Sequence, residues 1–125
     1  MKNNPQLNVF SKKLEICSKS PLTGFFRDGC CNTSSSDIGQ HIVCAIMTDN
    51  FLNFSLNQGN DLITPRRAVN FNGLKQGDRW CLCANRWLEA LKFSVPPKII
   101  LGSTNKTILK KIDLETLKRF AFDLN

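Results

Sequence analysis

Two cysteines stand one residue apart between two tryptophans in the segment GDRWCLCANRW, residues 77 to 87. Thiols at this spacing can hold a metal ion, form a redox pair or line a hydrophobic core. On a strand, residues i and i+2 point to the same side, whereas on a helix they diverge by about 200°. The local backbone therefore decides which of these chemistries is available.

A helix fits this segment better than a strand. At about 100° per residue, the side chains on the face of Trp80 include Ala84, Trp87, Leu88 and Leu91. Asp78 follows a glycine and is suited to cap the N-terminus. We therefore predict one helix over 79–92 with both tryptophans facing inward. Cys81 and Cys83 would flank the buried stripe as core residues, although Cys81 in the first turn could instead be a reactive thiol, stabilised as a thiolate by the exposed amides.

The remaining cysteines do not form a familiar metal motif. The chain has six cysteines, one histidine and no C-x2-C pair, and His41 and Cys44 would point apart on a strand. We therefore predict no metal and no cofactor, and keep a structural metal-binding protein only as a further alternative. The N-terminus lacks the apolar core of an export signal, so we expect a cytoplasmic protein with reduced cysteines.

Polar residues suited to ligand binding lie in two long loops. In GFFRDGCC (24–31), Arg27 and Asp28 beside Cys31 could bind an anion and position a nucleophile, or the Arg–Asp pair could simply hold the loop. In GND (59–61), Asn60 and Asp61 form either a polar cluster or a turn that ends a helix. The candidate catalytic residues are Arg27, Asp28, Cys31, His41 and Asp61, and the candidate ligand-binding residues are Arg27, Asp28, His41, Asn60, Asp61 and Thr64.

One strand and one helix would bring these two loops together. HIVCAIM (41–47) is apolar on both faces and predicts a buried strand. Thr48 is a suitable N-cap for a helix that ends at Gly59. A helix that returns antiparallel to the strand would carry Asn60 and Asp61 back to His41, the one imidazole and the natural proton carrier near neutral pH. We predict a pocket at this point, whereas the structural alternative is that these groups only pin the loops.

Composition limits the fold class and the partners. A length of 125 residues is typical of one domain, and we predict a single domain over 1–125 with a disordered arm over about 1–6. With further helices after Thr104 and over 114–122, the pattern predicts an α+β fold, a compact two-layer α/β sandwich with a small sheet and three to four helices. No apolar run approaches the length that spans a membrane.

The net charge of +7 favours anionic partners. Its basic residues are scattered and lack the basic-aromatic pattern of an RNA-binding strand, which argues against nucleic acid. We therefore expect a small anionic ligand. The alternative is a non-catalytic interaction module whose basic surface binds an acidic protein or nucleic acid.

The chain resembles the bacterial domain-of-unknown-function family 2237 from about Leu7 to Ala121. The resemblance is carried, in order, by PLTGFFRDGCC, DIGQHIVCAIMT, FLNFS, GNDLITP and GDRWCLCANRW. It implies a compact α/β two-layer protein and no known activity. Its polar positions here are Arg27, Asp28, Cys31, Asp37, His41, Cys44, Asn60, Asp61 and Thr64. The chain departs from the family where Arg67 and Asn72 replace prolines, and Asn105 stands near a position where the family has a histidine.

Overall fold

Two antiparallel strands form the centre of the protein in the computed structural model, which describes residues 5–124. Strand β1 spans His41–Ile46 and β2 spans Arg79–Cys83. Cys44 lies opposite Cys81, Ala45 opposite Trp80, and the register shifts between His41 and Val43. The four inner residues of β1 are buried, as an apolar strand covered on both faces requires.

Helix α1 spans Asp49–Asn57 and follows β1 directly. Its predicted cap is confirmed, because Thr48 accepts a hydrogen bond from the Phe51 amide at 3.0 Å. Phe51 and Leu52 are buried against the core. Gly59, with φ of +90°, occupies the left-handed conformation that ends many helices. The element therefore begins and ends where its sequence signals predict.

The prediction of one helix over 79–92 is wrong. Residues Arg79–Cys83 form β2, and helix α2 begins only at Ala84 and runs to Lys92. Trp87 and Ala90 supply the buried face of α2, so the helical pattern was real from Ala84 onward. Trp80 matched that pattern by coincidence, since its backbone pairs with β1 and its side chain is buried from a strand.

Residues 93–124 cover the core with short elements. Short 3-10 helices span Leu101–Ser103 and Lys106–Lys110, and helix α3 spans Leu114–Lys118, which is shorter than predicted. Ile99 forms isolated bridges to Ala45 and Ala121. The protein is thus a mixed α/β protein with three α-helices and a two-stranded antiparallel sheet within residues 5–124.

Two disulfides contradict the prediction of reduced cysteines. Cys17 is bonded to Cys44, and Cys31 is bonded to Cys81. Their Cα atoms lie 5.7 and 5.3 Å apart, within the range that a disulfide spans. The prediction relied on the expected compartment, whereas the fold places these residues side by side. The free cysteines of the described chain are Cys30 and Cys83.

Two further expectations concern the N-terminal arm and membrane-spanning segments. Residues 1–4 of the predicted N-terminal arm lie outside the described residues. Gln6, by contrast, exchanges hydrogen bonds with the Thr33 backbone at 2.8 and 3.0 Å. Within residues 5–124, none of the helices combines the length and the apolar character needed to cross a membrane.

Candidate functional site

A cavity of about 620 Å³ lies where β1, β2 and the two long loops meet. Its apolar wall includes Phe25, Leu62 and Trp80. Its rim is open to solvent, since Arg66 and Val69 are exposed. The polar residues that line it are Arg27, His41, Asn60, Asp61, Arg66 and Arg86, together with the thiol-bearing Cys83.

The path of the chain explains why these residues meet. His41 begins β1, and α1 leads back toward the same end, so Asn60 and Asp61 follow α1 into the cavity. The 18–40 loop supplies Arg27. Four of the six candidate ligand-binding residues, Arg27, His41, Asn60 and Asp61, therefore line one cavity. Asp28 does not belong to that lining.

His41 is held by a buried carboxylate. Its Nδ1 lies 2.7 Å from Oδ1 of Asp37, and its backbone amide donates to Oδ2 at 2.9 Å. Thr33 donates its hydroxyl to the same Oδ2 at 3.0 Å. The side chain of Asp37 is fully buried, whereas that of His41 is 41% exposed. This arrangement fixes the ring, and no described residue hydrogen-bonds its Nε2, so that atom is available to a ligand.

The hydrogen bonds to Asp37 also change its acidity. Burial raises the pKa of this carboxyl group, but the hydrogen bonds from His41 and Thr33 outweigh burial, and the pKa lies below the ordinary aspartate value. The carboxylate is therefore charged near neutral pH. A charged Asp37 favours the tautomer of His41 that carries its proton on Nδ1.

Two neighbours restrict the plane of the His41 ring. Phe25 stacks beside it with ring centroids 6.3 Å apart and planes inclined by 20°. On another side, a Cβ atom added at Gly39 would lie 2.9 Å from Cε1 of His41. Any side chain at position 39 would therefore displace the imidazole from this position.

Cys83 is the functional candidate that the sequence prediction missed. It is the residue opposite His41 across the sheet, it lines the same cavity, and it is a free, partly exposed thiol. Assigning 79–92 to a helix had placed it at the edge of the core. No sequence pattern could have found it, because strand alternation places Cys83 on the face of Cys81, and it is the pairing with His41 at the register shift that brings it to the cavity.

Arginine side chains make the cavity positive. Arg27 donates to the Gly24 carbonyl at 2.6 Å, and its guanidinium lies 5.1 Å from the centre of the Trp80 ring. Arg66 donates to the Asp61 carbonyl at 3.4 Å. Within the described chain, neither guanidinium has a carboxylate oxygen within ion-pair distance. Arg86, the third, is 3.4 Å from Glu89.

Asp61 has a structural role in the loop after α1. Its Oδ1 accepts hydrogen bonds from the amides of Ile63 and Thr64, at 2.9 and 3.0 Å. Hydrogen bonds from the side chain and the backbone of Thr64 lower its pKa, with a further contribution from Ile63. Asn60 is fixed nearby, since its carbonyl accepts from the Ser55 hydroxyl at 2.7 Å. The structural interpretation of GND therefore holds at the edge of the cavity.

The remaining candidates lie elsewhere. Asp28 closes its own loop by accepting from the Cys30 amide and from Asn32, both at 2.9 Å. Cys31 is fully buried and bonded to Cys81, so neither is an accessible nucleophile. Thr64 is exposed beside Asp61 and is not part of the cavity lining.

Three of the disulfide-bonded cysteines bring their sulfurs close together in a second group. The Sγ atoms of Cys17, Cys31 and Cys81 all lie within 4.8 Å of one another, and all three residues are buried. This cluster is distinct from the cavity, because none of the three belongs to the cavity lining.

The comparison with known proteins indicates a family without an assigned activity. No protein among those with curated functions matches the chain significantly. A family profile matches residues 7–121, which is nearly the whole chain and includes every residue of the cavity. The chain therefore belongs to the family described as an uncharacterized protein conserved in bacteria, DUF2237.

Proposed function

We propose that the protein binds a small anionic metabolite in the cavity formed by the two long loops and the strand ends. The observation that carries this proposal is the charge of the lining: three guanidinium groups stand against the single carboxylate of Asp61. Two of those arginines, Arg27 and Arg66, donate to backbone carbonyls and have no described carboxylate oxygen within ion-pair distance. Guanidinium groups of this kind recognise carboxylates and phosphates through paired hydrogen bonds.

The apolar wall restricts the ligand further. Phe25, Phe71 and Trp80 present aromatic surface to the cavity, and a volume of about 620 Å³ is in the range that holds small-molecule ligands. A ligand with an anionic group and an apolar portion matches both parts of the lining. The concave shape, with Arg27, His41 and Asp61 in one lining, favours this function over an interaction module that uses a flat basic surface.

The same cavity contains groups for proton transfer and nucleophilic attack. His41, oriented by Asp37, can accept or donate a proton through Nε2. Cys83 supplies a thiol on the facing strand. A bound anion would therefore lie near both groups. The ligand-binding proposal stands without any reaction, since it depends on the arginines alone.

Alkylation of Cys83 tests for an anion-binding cavity while the ligand itself is still unidentified. Iodoacetate is anionic and iodoacetamide is neutral, so the ratio of their rates reports attraction of an anion to each thiol. Mass spectrometry of digested protein measures both rates at Cys83 and at Cys30, the other free thiol of the described chain. We expect a higher iodoacetate-to-iodoacetamide ratio at Cys83, and protection of Cys83 by millimolar pyrophosphate or citrate.

Neighbouring arginines supply a matched control. Arg66→Gln should lower the ratio at Cys83, because it removes a cavity guanidinium. Arg67→Gln changes the net charge equally at an exposed position outside the lining, and should leave the ratio unchanged. Equal ratios at the two thiols, or equal effects of the two substitutions, would reject an anion-binding cavity.

A further inference from the structure

Four cysteine sulfurs meet in one buried cluster on the opposite side of β2 from Trp80. Cys17 is bonded to Cys44 and Cys31 to Cys81, and the sulfurs of Cys17, Cys31 and Cys81 lie within 4.8 Å of one another. Each residue is at most 3% exposed. The two disulfides are therefore neighbours, and the Cys44 sulfur, through its bond to Cys17, adjoins this group of three.

We propose that these four cysteines bind one zinc ion when both disulfides are reduced. A tetrahedral zinc–thiolate site has Zn–S bonds of about 2.3 Å, which sets its sulfurs about 3.8 Å apart. The sulfurs of three of these residues are already within about 1 Å of that spacing or closer. The Cys44 sulfur, which lies outside this group of three, would have to rotate toward it once its bond to Cys17 is broken.

The backbone of each cysteine is held by a hydrogen bond that does not depend on the disulfides. The partners are the Gly29 carbonyl for the Cys17 amide at 2.8 Å, Asn105 for the Cys31 carbonyl at 3.1 Å, Thr104 for the Cys44 amide at 3.2 Å and Thr23 for the Cys81 amide at 2.9 Å. Thr23 and Thr104 are fully buried and Asn105 is 3% exposed. Reduction therefore leaves the backbone of all four cysteines held in place around the cluster.

The pairing of β1 and β2 adds rigidity at half of this site. Cys44 and Cys81 are opposite each other in the antiparallel ladder, and opposite side chains in such a pair lie on the same face about 5 Å apart. Cys17 and Cys31 come from the loops that cover this face, joined to each other by the bond between the Cys17 amide and Gly29. Two ligands on a sheet and two on a covering loop resemble a closed structural site, with no position left for substrate.

The chemistry requires a reductant and releases protons. Two molecules of a dithiol each deliver two electrons and two protons to one disulfide, and each becomes a disulfide itself. Zinc then replaces the protons of four thiols, so four protons leave as the ion binds. Without a metal the reduced cysteines stay protonated, because buried thiolates would be uncompensated charges, and zinc binding is what makes the thiolate form stable.

The other two cysteines are excluded by position. Cys83 lies in the ligand cavity, and Cys30 is partly exposed beside Asp28. The double variant Cys30→Ser/Cys83→Ser therefore retains the whole proposed site and is the matched control.

Cobalt titration of the reduced full-length protein tests the proposal. The protein is reduced with a phosphine under nitrogen, freed of reductant and titrated with Co²⁺. We expect one Co²⁺ per chain, with the thiolate charge-transfer band and the ligand-field bands of a tetrahedral four-thiolate complex, and loss of these bands on addition of one equivalent of Zn²⁺. The Cys30→Ser/Cys83→Ser variant should give the same spectrum and stoichiometry.

Substitutions at the cluster should separate ligands from supporting residues. Cys31→Ser and Cys81→Ser should each abolish the four-thiolate spectrum. Thr104→Val should keep that spectrum but weaken Co²⁺ binding about 10–100-fold, the usual effect of losing an outer-shell hydrogen bond. Tryptophan fluorescence reports whether each reduced protein is folded.

Three results would overturn the proposal. The first is a reduced protein, folded or unfolded, that binds no Co²⁺ at tens of micromolar. The second is an octahedral or mixed nitrogen–sulfur spectrum. The third is loss of binding in Cys30→Ser/Cys83→Ser with retention in Cys31→Ser. None of these results depends on the anion cavity, so the cobalt experiment and the alkylation of Cys83 test the two proposals independently.

Discussion

His41 Nδ1 lies 2.7 Å from Oδ1 of Asp37. The other carboxylate oxygen of Asp37, Oδ2, accepts a hydrogen bond from the His41 backbone amide. The carboxylate is fully buried and the imidazole partly exposed. One residue thus fixes both the start of β1 and the orientation of the ring that faces the cavity. Stability and ligand chemistry are coupled at this pair.

Replacement of Asp37 by asparagine should destabilise the protein and change its acid response. Loss of charge-assisted hydrogen bonds should cost about 1–3 kcal/mol. The folded pKa of Asp37 is depressed, so its contribution is complete above the ordinary aspartate pKa of about 3.9 and is lost as the pH falls through the lower folded value. We therefore expect the wild type to exceed Asp37→Asn in free energy of unfolding by more at about pH 6 than at about pH 2. Urea unfolding across about pH 2–6 measures this difference.

The control for this experiment is Glu115→Gln. Glu115 is 81% exposed and pairs with Lys118 on the surface, so its loss should change the free energy of unfolding by less than about 1 kcal/mol. A wild-type advantage over Asp37→Asn that is independent of pH would show that the carboxylate is not titrating as described.

Gly39→Ala should move the His41 ring without disrupting the fold. The new methyl group would lie 2.9 Å from Cε1 of the imidazole, so the ring must shift from its place beside Phe25. Because the chain has one histidine, its Cε1–H resonance is unambiguous in a two-dimensional NMR spectrum, and we expect that resonance to move and its contact with Phe25 to weaken.

Gly59→Ala separates this local effect from general strain. Gly59 has φ of +90° with open space at its Cβ position, so alanine there should cost about 1 kcal/mol in backbone strain. The His41 resonance should stay in place. Similar His41 shifts in both variants would contradict the packing of Gly39 against the ring.

Trp87→Ala should destabilise the protein by about 3–5 kcal/mol. The side chain is fully buried, and its indole N–H donates to the Pro97 carbonyl at 3.0 Å. Trp80→Ala should also be destabilising, since Trp80 is 7% exposed, but it should in addition alter the anion cavity that Trp80 lines. Denaturant unfolding measures both, with Phe93→Ala, at a 55% exposed position, as a control expected to have little effect.

Thiol titration should distinguish the two disulfides from a fully reduced chain. Protein purified without reductant and denatured under nitrogen should show two reactive thiols, Cys30 and Cys83, and six after reduction. The thiols alkylated before reduction are identified by peptide mass. Six thiols without reduction, in a sample from which metal has been removed, would contradict the disulfides.

Local signals in the sequence determined the strand and helix between His41 and Gly59. Thr48 caps α1 with its own hydroxyl, and the apolar residues of β1 are buried on both faces. These outcomes depend on interactions within a few residues, which a sequence pattern records directly. The α-helical character from Ala84 to Leu91 was equally visible, because Trp87 and its neighbours share one face.

Only the tertiary structure decided the conformation of residues 79–83 and the pairing of the cysteines. The spacing of Trp80 fits a helical pattern. Its backbone nevertheless pairs with β1, and a count of apolar residues within one segment does not detect such a distant partner. Cys17 and Cys44 are 27 positions apart, and Cys31 and Cys81 are 50 apart. Their spacing carries no motif because the loop that covers the sheet, rather than the sequence between them, brings the sulfurs together. For the same reason Cys83 joined His41 in one cavity only when β2 formed.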